Sequence, residues 1–398
     1  MSKISYADLV HACSPGGSSV LTSVTELAPA GGPHTGVAPA KFVSGNVSVF
    51  AYETRFVDGE PVETVIIDSK QSQLNRVEQQ LSLAIETGDP LLSRVPRIRV
   101  SYDGASYTDL DLPHRAFDGH IRAGNLNGQP VTDSPEYRAV RDASPANARA
   151  LLETSPASLV FGSWDSTRRS HQGRYRSALV GEIIGVLADQ SENARVSPKR
   201  GGARVDPVAM SVQLTGKDFE AILAGQESEL SPKTVEEIRK TAAKAKNKPV
   251  SASHLGLGGI PPSLDALGVV ACRRIIRSHV LSFSALRQLR FGATAEGDVA
   301  CRALLAAFAL NGLARSDAEL SLRANCDLVE LAPATVTLDE RHGQHKELAS
   351  LTIAEADALL EQAIDEATQK AGVRWDGQVL EVVGNPIVLG GAVDEAED

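Results

Sequence analysis

Aromatic side chains, cysteines and long apolar segments are all scarce in this sequence. Phe, Trp and Tyr make up 4% of the 398 residues, and the four cysteines lie far apart, at Cys13, Cys272, Cys301 and Cys326. So few thiols exclude a disulfide scaffold and favour a reducing, cytoplasmic setting. No stretch approaches 18 uninterrupted apolar residues, so we expect no membrane-spanning helix. The N-terminus lacks the basic start and apolar run that are typical of a secretory signal.

The common catalytic signatures are also missing. The sequence has no GxxxxGKS/T loop, no HExxH, no GxSxG and no GxGxxG after a predicted strand. Gly256, Gly258 and Gly259 are followed by prolines, which indicates a flexible loop rather than a phosphate cradle. His342 and His345 lie three residues apart without an obvious third ligand, which is more typical of a solvated loop than of a metal site. We therefore predict no catalytic residue, metal or cofactor.

Charge is distributed unevenly along the chain. The whole sequence holds 40 basic and 50 acidic residues, a net charge of −10, which on its face argues against a nucleic-acid ligand. Residues 317–398 hold 18 acidic and 5 basic residues, which leaves 32 acidic and 35 basic residues in 1–316. Two arginine clusters, in 166–177 and 268–295, contain no acidic residue. The acidity therefore belongs to the C-terminal portion, and the rest of the chain is compatible with nucleic-acid binding.

Hydrophobic periodicity predicts a chain of mixed α and β structure. Apolar residues at helical spacing predict helices over 70–86, 175–188, 231–247, 296–311 and 352–371. Segments rich in β-branched and aromatic residues predict strands over 41–57, 62–67, 97–100, 158–162, 267–283, 379–383 and 386–389. Residues 190–263, with their charged and glycine-rich stretches, indicate an excursion from the core. This alternation with long insertions favours an α+β fold.

The segment 161–177, FGSWDSTRRSHQGRYRS, concentrates groups that suit a nucleic acid. It holds four arginines, together with Trp, Tyr, His, Gln and several hydroxyls. The arginine fork matches phosphate oxygens, and the start of the helix predicted at 175–188 would add a partial positive charge. The alternative is a loop of solvated arginines that pair with the protein's own carboxylates.

The predicted strand 267–283 also carries cations. Every second residue of this strand lies on the same face, and Arg273 and Arg277 alternate in this way with Ile275 and His279. One sheet face could therefore present cations beside apolar groups. Pairing of these arginines with acids of the C-terminal portion is equally compatible with the sequence. Because no strand carries the basic–glycine–aromatic run of a base-stacking RNA module, we expect any RNA to be held mainly by its backbone.

Five segments of the sequence, taken together and in this order, resemble those of a known protein family. They are DSKQSQLNRVEQQL (68–81), LPHRAFDGHI (112–121), FGSWDSTRRSHQGRYRSALVGEIIG (161–185), SHLGLGGIPPS (253–263) and VLSFSALRQLRF (280–291). They resemble the backbone subunit of the type I-G (formerly I-U) CRISPR Cascade effector, a member of the RAMP superfamily. The resemblance spans residues 68–291, over half of the chain.

The resemblance implies a ferredoxin-like, RRM-type core with large insertions that form fingers and a thumb. Residues 1–40 would form an N-terminal extension, residues 41–189 and 264–398 the core, and residues 190–263 an inserted thumb- or finger-like region. The subunit would be non-catalytic and would oligomerise head to tail along a CRISPR RNA, presenting it to a target DNA strand. Other partners would be the Cascade large subunit and the guide-processing and capping subunit.

The resemblance also suggests which residues contact RNA. Phosphate contacts are expected from Arg168, Arg169, Arg174 and Arg176, and sugar or base contacts from His171 and Gln172. Further candidates are Asn75 and Arg76 on the exposed side of the first helix, His114 and Arg115 (where helix capping is the competing interpretation), and Arg273 and Arg277. Trp164 is expected to pack the loop against the core rather than to stack on a base.

An enzymatic alternative remains at this stage. Related backbone subunits of type III effectors cut target RNA with a metal ion and an acidic loop residue, and Asp165 or Asp189 would be the candidates here. The sequence shows no carboxylate cluster with metal-ligand spacing, so we favour the non-catalytic interpretation.

Overall fold

The computed structural model describes residues 1–169, 172–202, 212–258 and 263–390. The chain divides into two compact units, one made of Met1–Arg195 with Val270–Asp398 and the other of Val196–Val269. Most of the predicted insertion 190–263 therefore lies in the second unit. Helices and antiparallel sheets make up the chain, and the predicted α+β class is confirmed.

A large antiparallel sheet runs through the first unit. From one edge to the other its strands are Gln344–Leu348, Thr335–Arg341, Val20–Pro29, Cys272–Ser282, Leu179–Leu187, Glu60–Asp68 and Tyr52–Val57, and Leu328–Glu330 also pairs with Val20–Pro29. The register aligns Leu338, Leu21, Leu281 and Leu179 in one row across four neighbouring strands. This apolar row marks the face of the sheet that is buried.

Helices cover that face. Lys70–Glu86, with the predicted bounds, and Ala295–Glu319, which is longer than predicted, join the leucine row in one core. Their close contact depends on Gly312, because a Cβ there would lie 2.7 Å from Val77 Cγ1 and 3.0 Å from Leu81 Cδ1. The helix predicted at 352–371 forms as Ile353–Ala371 and packs against Ala295–Glu319.

The order of these elements along the chain is simple. It runs strand, helix, strand, strand, helix, strand through Val20–Pro29, Lys70–Glu86, Leu179–Leu187, Cys272–Ser282, Ala295–Glu319 and Thr335–Arg341. Across the sheet, the four strands lie in the order Thr335–Arg341, Val20–Pro29, Cys272–Ser282 and Leu179–Leu187. The fourth strand of the chain is thus followed by the first, the third and the second. Residues 1–40, which we expected to form an extension, thus supply an interior strand of the sheet.

The helix predicted at 175–188 is wrong, because Leu179–Leu187 is an interior strand. It pairs on both sides, with Cys272–Ser282 and with Glu60–Asp68. Its apolar residues are therefore nearly continuous, and their spacing also fits a helix. The β-branched residues of the segment carry the strand signal. Within this strand, position 181 is a glycine because a Cβ there would lie 2.1 Å from His279 Cδ2, too close for any side chain.

Two short predicted strands are also wrong. Residues 158–162 fall at the helix Ala157–Val160, and residues 386–389 fall in the helix Pro386–Gly390. Short apolar runs do not distinguish a strand from a buried helical turn. In the second case Pro386 occupies the first helical position, where its fixed φ favours a helix.

Smaller sheets complete the chain. A five-stranded sheet contains Ala105–Thr108, Arg97–Tyr102, Val379–Val383, Asn125–Leu126 and Gln129–Pro130. Two-stranded pairs join Lys41–Ser44 to Val47–Phe50 and Ser163–Trp164 to Arg174–Tyr175. In the second unit, Lys199–Gly202 pairs with Ser263–Leu267, and Gln213–Leu214 pairs with Val250–Ser251.

The remaining helices are short. In the first unit the α-helices are Tyr6–Cys13, Gly119–Arg122, Pro135–Arg141, Arg149–Leu152 and Phe283–Leu286, and the 3-10 turns are Leu92–Arg94, Arg115–Phe117, Val131–Asp133 and Glu192–Arg195. The second unit contains the helices Gly216–Ala224 and Pro232–Ala245, with 3-10 turns at Glu227–Glu229 and Ser253–Leu255. These two helices bury a small core of their own around Phe219 and Ile238.

Within the described part of the chain, one helix is long and apolar enough to cross a membrane. This helix is Ala295–Glu319, and 94% of its most apolar window is buried inside the protein. Such burial is typical of the core helix of a soluble protein.

Candidate nucleic-acid interface

A short β-hairpin carries the arginine-rich segment. Ser163 pairs with Tyr175, and Trp164 pairs with Arg174. Ser163 and Tyr175 are buried, and the Tyr175 ring stacks on Phe117 with the ring centroids 6.3 Å apart. Alternation along the two strands therefore turns Trp164 and Arg174 towards the solvent.

The outer side of this hairpin presents an aromatic ring beside a cation. Trp164 is 50% exposed, so the expectation that it packs against the core is wrong. The guanidinium carbon of Arg174 lies 5.1 Å from the centroid of the Trp164 ring, within the range of a cation–π interaction. These two side chains are of the types that contact a base and a phosphate, respectively.

The loop of the hairpin is anchored through Asp165, whose side chain is wholly buried. The Asp165 backbone N–H donates to the carbonyl of Gly173 at 2.9 Å. Its carboxylate lies 3.4 Å from Arg122 Nη1 and 3.8 Å from Arg168 Nε, and Arg168 also reaches Asp142 at 3.1 Å. Arg168 thus lies between two carboxylates of the protein, as the alternative interpretation of this loop expected.

Gln172 closes the loop. Its side-chain Nε2 donates to the backbone carbonyls of Arg168 at 2.6 Å and of Ser166 at 3.2 Å. Gln172 therefore fixes the backbone near the arginines, and it is exposed to the solvent. His171, the other predicted sugar or base contact, lies outside the described residues.

Three arginines of the segment remain available to a ligand. Arg169, Arg174 and Arg176 are exposed, and none forms an ion pair with another residue that the structure describes. Arg174 and Arg176 line a groove of about 380 Å³, whose opposite wall includes Ser284 and Gln288. The structure thus brings together the third and fifth sequence motifs.

A second cavity, of about 560 Å³, brings together the first three motifs. Asn75 lines it from the helix Lys70–Glu86, Arg115 from the second motif, and Phe161 with Ser177 from the third. Asn75 is exposed, as predicted. The segment 174–178 therefore contributes to both cavities.

Arg115 is buried and paired inside the protein. Its Nε and Nη2 donate to the Glu78 carboxylate at 2.5 and 2.6 Å, and its Nη1 donates to the Gly162 carbonyl at 2.7 Å. Burial raises the pKa of Glu78 to about 7, against the lowering influence of Arg115. The predicted role of Arg115 as an RNA contact is therefore wrong, because its donors hold the helix Lys70–Glu86 to the start of the hairpin.

The neighbouring His114 is exposed, but its backbone N–H donates to Asp118 Oδ2 at 3.2 Å. Asp118 is also the N-cap of the helix Gly119–Arg122, with its side chain accepting from the N–H of His120. The competing interpretation of this motif, local helix capping, thus describes its backbone, while the His114 ring remains at the surface.

Arg76 belongs to a buried network around Asp68. Its Nε lies 2.9 Å from Asp68 Oδ2, and Arg323 and Gln73 also donate to the same carboxylate. Although burial raises the pKa of Asp68, the hydrogen bonds from Arg76 and Gln73 outweigh it and lower the pKa below its ordinary value. Arg76 is therefore only partly exposed, in contrast to the prediction.

Arg273 and Arg277 have different environments. The register places Arg277 and His279 opposite Thr25 and Ser23, on the helix-covered face that carries Leu21. Arg277 is 2% exposed and pairs with Asp317 at 3.3 Å and with Glu330 at 2.5 Å. Its predicted RNA contact is wrong, and pairing with acids of the C-terminal portion is correct for this residue.

Arg273 is exposed and forms no ion pair in the part of the chain that the structure describes.

Two residues next to the hairpin were missed from the sequence. Arg122 donates to Thr167 in the loop and approaches Asp165, and Arg141 supplies the carbonyl that accepts from Arg168 Nη1 at 3.0 Å. The signal for Arg122 was its position directly after the second motif.

The described residues contain no group of three or more His, Cys, Asp or Glu side chains that could hold a metal ion. Of the two acidic candidates, Asp165 contacts Arg122 and Arg168, and Asp189 accepts hydrogen bonds from the N–H and hydroxyl of Ser191.

Comparison with known proteins gives one family. Residues 21–190 match the family model described as CRISPR-associated protein GSU0053. This range is less than half of the chain, and it contains the hairpin and the helix Lys70–Glu86. The match indicates a CRISPR-associated protein. No curated protein matches the chain.

Proposed function

We propose that this chain is a non-catalytic backbone subunit that binds CRISPR RNA and oligomerises along it in a type I Cascade complex. Such a complex serves antiviral defence by pairing the guide with target DNA. The observation that carries the proposal is the presence of three exposed arginines, Arg169, Arg174 and Arg176, without carboxylate partners among the described residues. They lie within the range that matches the CRISPR-associated family.

The topology of the large sheet supports an RRM-type core. A strand–helix–strand–strand–helix–strand order with the strands arranged fourth, first, third, second is that of a ferredoxin-like unit. On the side opposite the leucine row, Arg274 pairs with Glu26 and Asp58, and Arg55 pairs with Glu182. Three arginines without an ion pair among the described residues, Arg169, Arg174 and Arg176, lie together at the hairpin. We therefore assign RNA binding to the hairpin rather than to this face of the sheet.

The chemistry of the hairpin favours a grip on the RNA backbone. Arginine forks recognise phosphate oxygens without selecting a base sequence, and one exposed ring, Trp164, adds a surface on which any base can stack. A backbone subunit has to accept guides of any sequence, so this mode suits the proposed role.

The proposed partners follow from the same role. They are other copies of the chain, the Cascade large subunit of the type I-G complex and the guide-processing and capping subunit. We assign a thumb- or finger-like role to the second unit, Val196–Val269. In the sequence, this unit lies between Leu179–Leu187 and Cys272–Ser282, which are neighbouring strands of the large sheet.

The contacts of the acidic candidates favour the non-catalytic proposal over a metal-dependent ribonuclease. Asp165 is buried beside Arg122 and Arg168, whose positive charges already balance its carboxylate. A catalytic metal needs several ligands, and the described residues contain no group of three or more His, Cys, Asp or Glu side chains that could hold one. Incubation of the assembled complex with matched target RNA and Mg²⁺ or Mn²⁺ tests this point. RNA cleavage that is lost in Asp165→Ala or Asp189→Ala would favour the ribonuclease instead.

A salt titration of RNA binding tests the proposal on the hairpin. The full chain with Arg169→Ala, Arg174→Ala and Arg176→Ala combined should bind single-stranded RNA more weakly. Each phosphate contact on a single strand contributes about 0.7 to the slope of log affinity against log salt, so the slope should fall by about 2.

Arg374→Ala provides the matched control, because Arg374 is exposed and its side chain forms no hydrogen bond or ion pair with a described residue. This variant should retain the affinity and slope of the unmodified chain. An unchanged slope in the triple variant would remove the hairpin from the proposed interface.

A further inference from the structure

A cavity of about 460 Å³ lies beside the start of the helix Ala295–Glu319. It is lined by Arg287, Arg290 and Arg302, together with Asp298 as its one acidic residue. Arg287 and Arg290 belong to the fifth sequence motif and lie outside the hairpin. Three cations around one carboxylate leave an excess of positive charge at this cavity.

Backbone carbonyls accept hydrogen bonds from two of these arginines, and Arg302 also forms a long ion pair with Asp298. Arg287 Nη1 donates to the carbonyls of Ala12 and of Ser18, the latter at 2.7 Å. Arg302 Nε donates to the carbonyl of Leu289 at 2.9 Å. Carbonyl contacts fix a guanidinium without neutralising its charge. Burial, and also the nearby Arg341 and Arg302, lower the pKa of Arg287.

Free donors remain at this cavity. The Arg302 side chain is 9% exposed, and its Nη2 lies 3.8 Å from Asp298 Oδ2, too far for a hydrogen bond. The other oxygen of Asp298 accepts from the N–H of Phe291 at 2.9 Å, so this carboxylate is partly used by the backbone. Arg290 is exposed and has no side-chain partner among the described residues.

The chemistry of this cavity suits a phosphate group. Guanidinium donors in fixed positions match tetrahedral oxyanions, and water is largely excluded from the Arg302 side of the cavity. The 25-residue helix Ala295–Glu319 begins at the cavity wall and adds the partial positive charge of its N-terminus.

The same stretch of chain connects this cavity to the hairpin groove. Ser284 and Gln288 line the groove that contains Arg174 and Arg176, whereas Arg287 and Arg290 line the cavity. We propose that the cavity around Arg287, Arg290 and Arg302 binds a second phosphate group of the RNA strand held at the hairpin. This inference rests on the proposed function and extends the RNA path across the turn that follows the helix Phe283–Leu286.

Arg290→Ala in the full chain tests the inference with little risk to folding, because the side chain is exposed. Binding of single-stranded RNA should weaken about tenfold or more, as expected for loss of a hydrogen bond between charged groups. The salt slope should fall by about 0.7, the contribution of one phosphate. Arg374→Ala should change neither quantity, and Arg174→Ala reports the hairpin independently.

The outcomes separate the inference from the proposed function. If Arg174→Ala weakens RNA binding but Arg290→Ala does not, the proposed function stands and the inference is overturned. If the unmodified chain binds no RNA, the proposed function and the strand inference both fail. Calorimetry with inorganic phosphate provides a further measurement. Suppose that Arg290→Ala abolishes phosphate binding but leaves RNA binding unaffected. This result would identify free phosphate as the ligand and overturn the inference.

Discussion

At the scale of single residues, the arginines of this chain differ in their partners. Arg115 and Arg277 are buried against carboxylates, whereas Arg169 and Arg174 are exposed and pair with none among the described residues. Removal of one partner from a buried ion pair strongly destabilises a protein, so Arg115 and Arg277 serve the folding of this chain. Residue type alone does not distinguish the two roles, since Arg168, which pairs with two carboxylates, and Arg169, which pairs with none among the described residues, are neighbours in the third motif.

Burial was the missing information for these residues. The sequence places Arg76 on the exposed side of its helix and makes Arg115 a candidate RNA contact, but these arginines pair with Asp68 and Glu78, respectively. Pairs between different elements leave no periodic signal in the sequence. The sequence predicts correctly which residues share a strand face with Arg277. It does not reveal which of the two faces is covered by helices.

The Asp68 network should make the stability of the protein depend on pH. The pKa of Asp68 is lowered in the folded state, so its ionised form is stabilised by folding. This contribution is fully present above the unfolded pKa of about 3.9 and is lost as the pH falls through the lower folded pKa. The free energy of unfolding, measured with urea between pH 7 and pH 2, should therefore decrease in acid more steeply for the unmodified protein than for Asp68→Asn.

Asp103→Asn is the matched control, since Asp103 is exposed and its side chain has no hydrogen-bond partner among the described residues. It should follow the pH profile of the unmodified protein. Equal slopes for Asp68→Asn and the unmodified protein would show that Asp68 is not the buried anion of the network.

At the scale of elements, amphipathic helices were the most predictable parts of the fold. Lys70–Glu86 has the predicted bounds because Ser69 caps it and because its apolar residues follow one face. Leu179–Leu187 was mistaken for a helix because it is buried between two strands and lacks polar alternation. The strand Val20–Pro29 was missed within 1–40 because its buried face carries Ser23 and Thr25 between Leu21 and Leu27, which interrupts the apolar alternation of a strand.

The contact between the two core helices gives a prediction at this scale. Gly312→Ala would place a Cβ 2.7 Å from Val77 Cγ1, so the helices would have to separate. Overpacking of this kind costs about 1–3 kcal/mol, which exceeds the gain in helix propensity of up to about 1 kcal/mol. The urea midpoint of Gly312→Ala should therefore be lower than that of the unmodified protein.

Gly119→Ala serves as the comparison, because nothing lies within 4 Å of the Cβ position at this helical glycine. Its urea midpoint should be unchanged or slightly higher. A midpoint for Gly312→Ala that equals that of Gly119→Ala would mean that the helices are not in the close contact described.

At the scale of the whole molecule, the net charge of −10 conceals an internal division. Acidic residues of 317–398 pair with basic residues from the rest of the chain, as in Arg277 with Asp317, Arg315 with Asp357, Arg94 with Asp365 and Arg99 with Glu381. The acidic portion is thus part of the first unit, with its strands in the sheet. Arg169, Arg174 and Arg176 at the hairpin pair with no carboxylate among the described residues, which reconciles an acidic protein with an RNA ligand.

The central claim is that copies of this chain assemble along a guide RNA. Electron microscopy of the full chain co-expressed with its CRISPR RNA tests this claim most directly. We predict a curved filament whose length follows the length of the guide and whose RNA content is confirmed by the absorbance ratio at 260 and 280 nm. A small closed oligomer that contains no RNA would contradict the account.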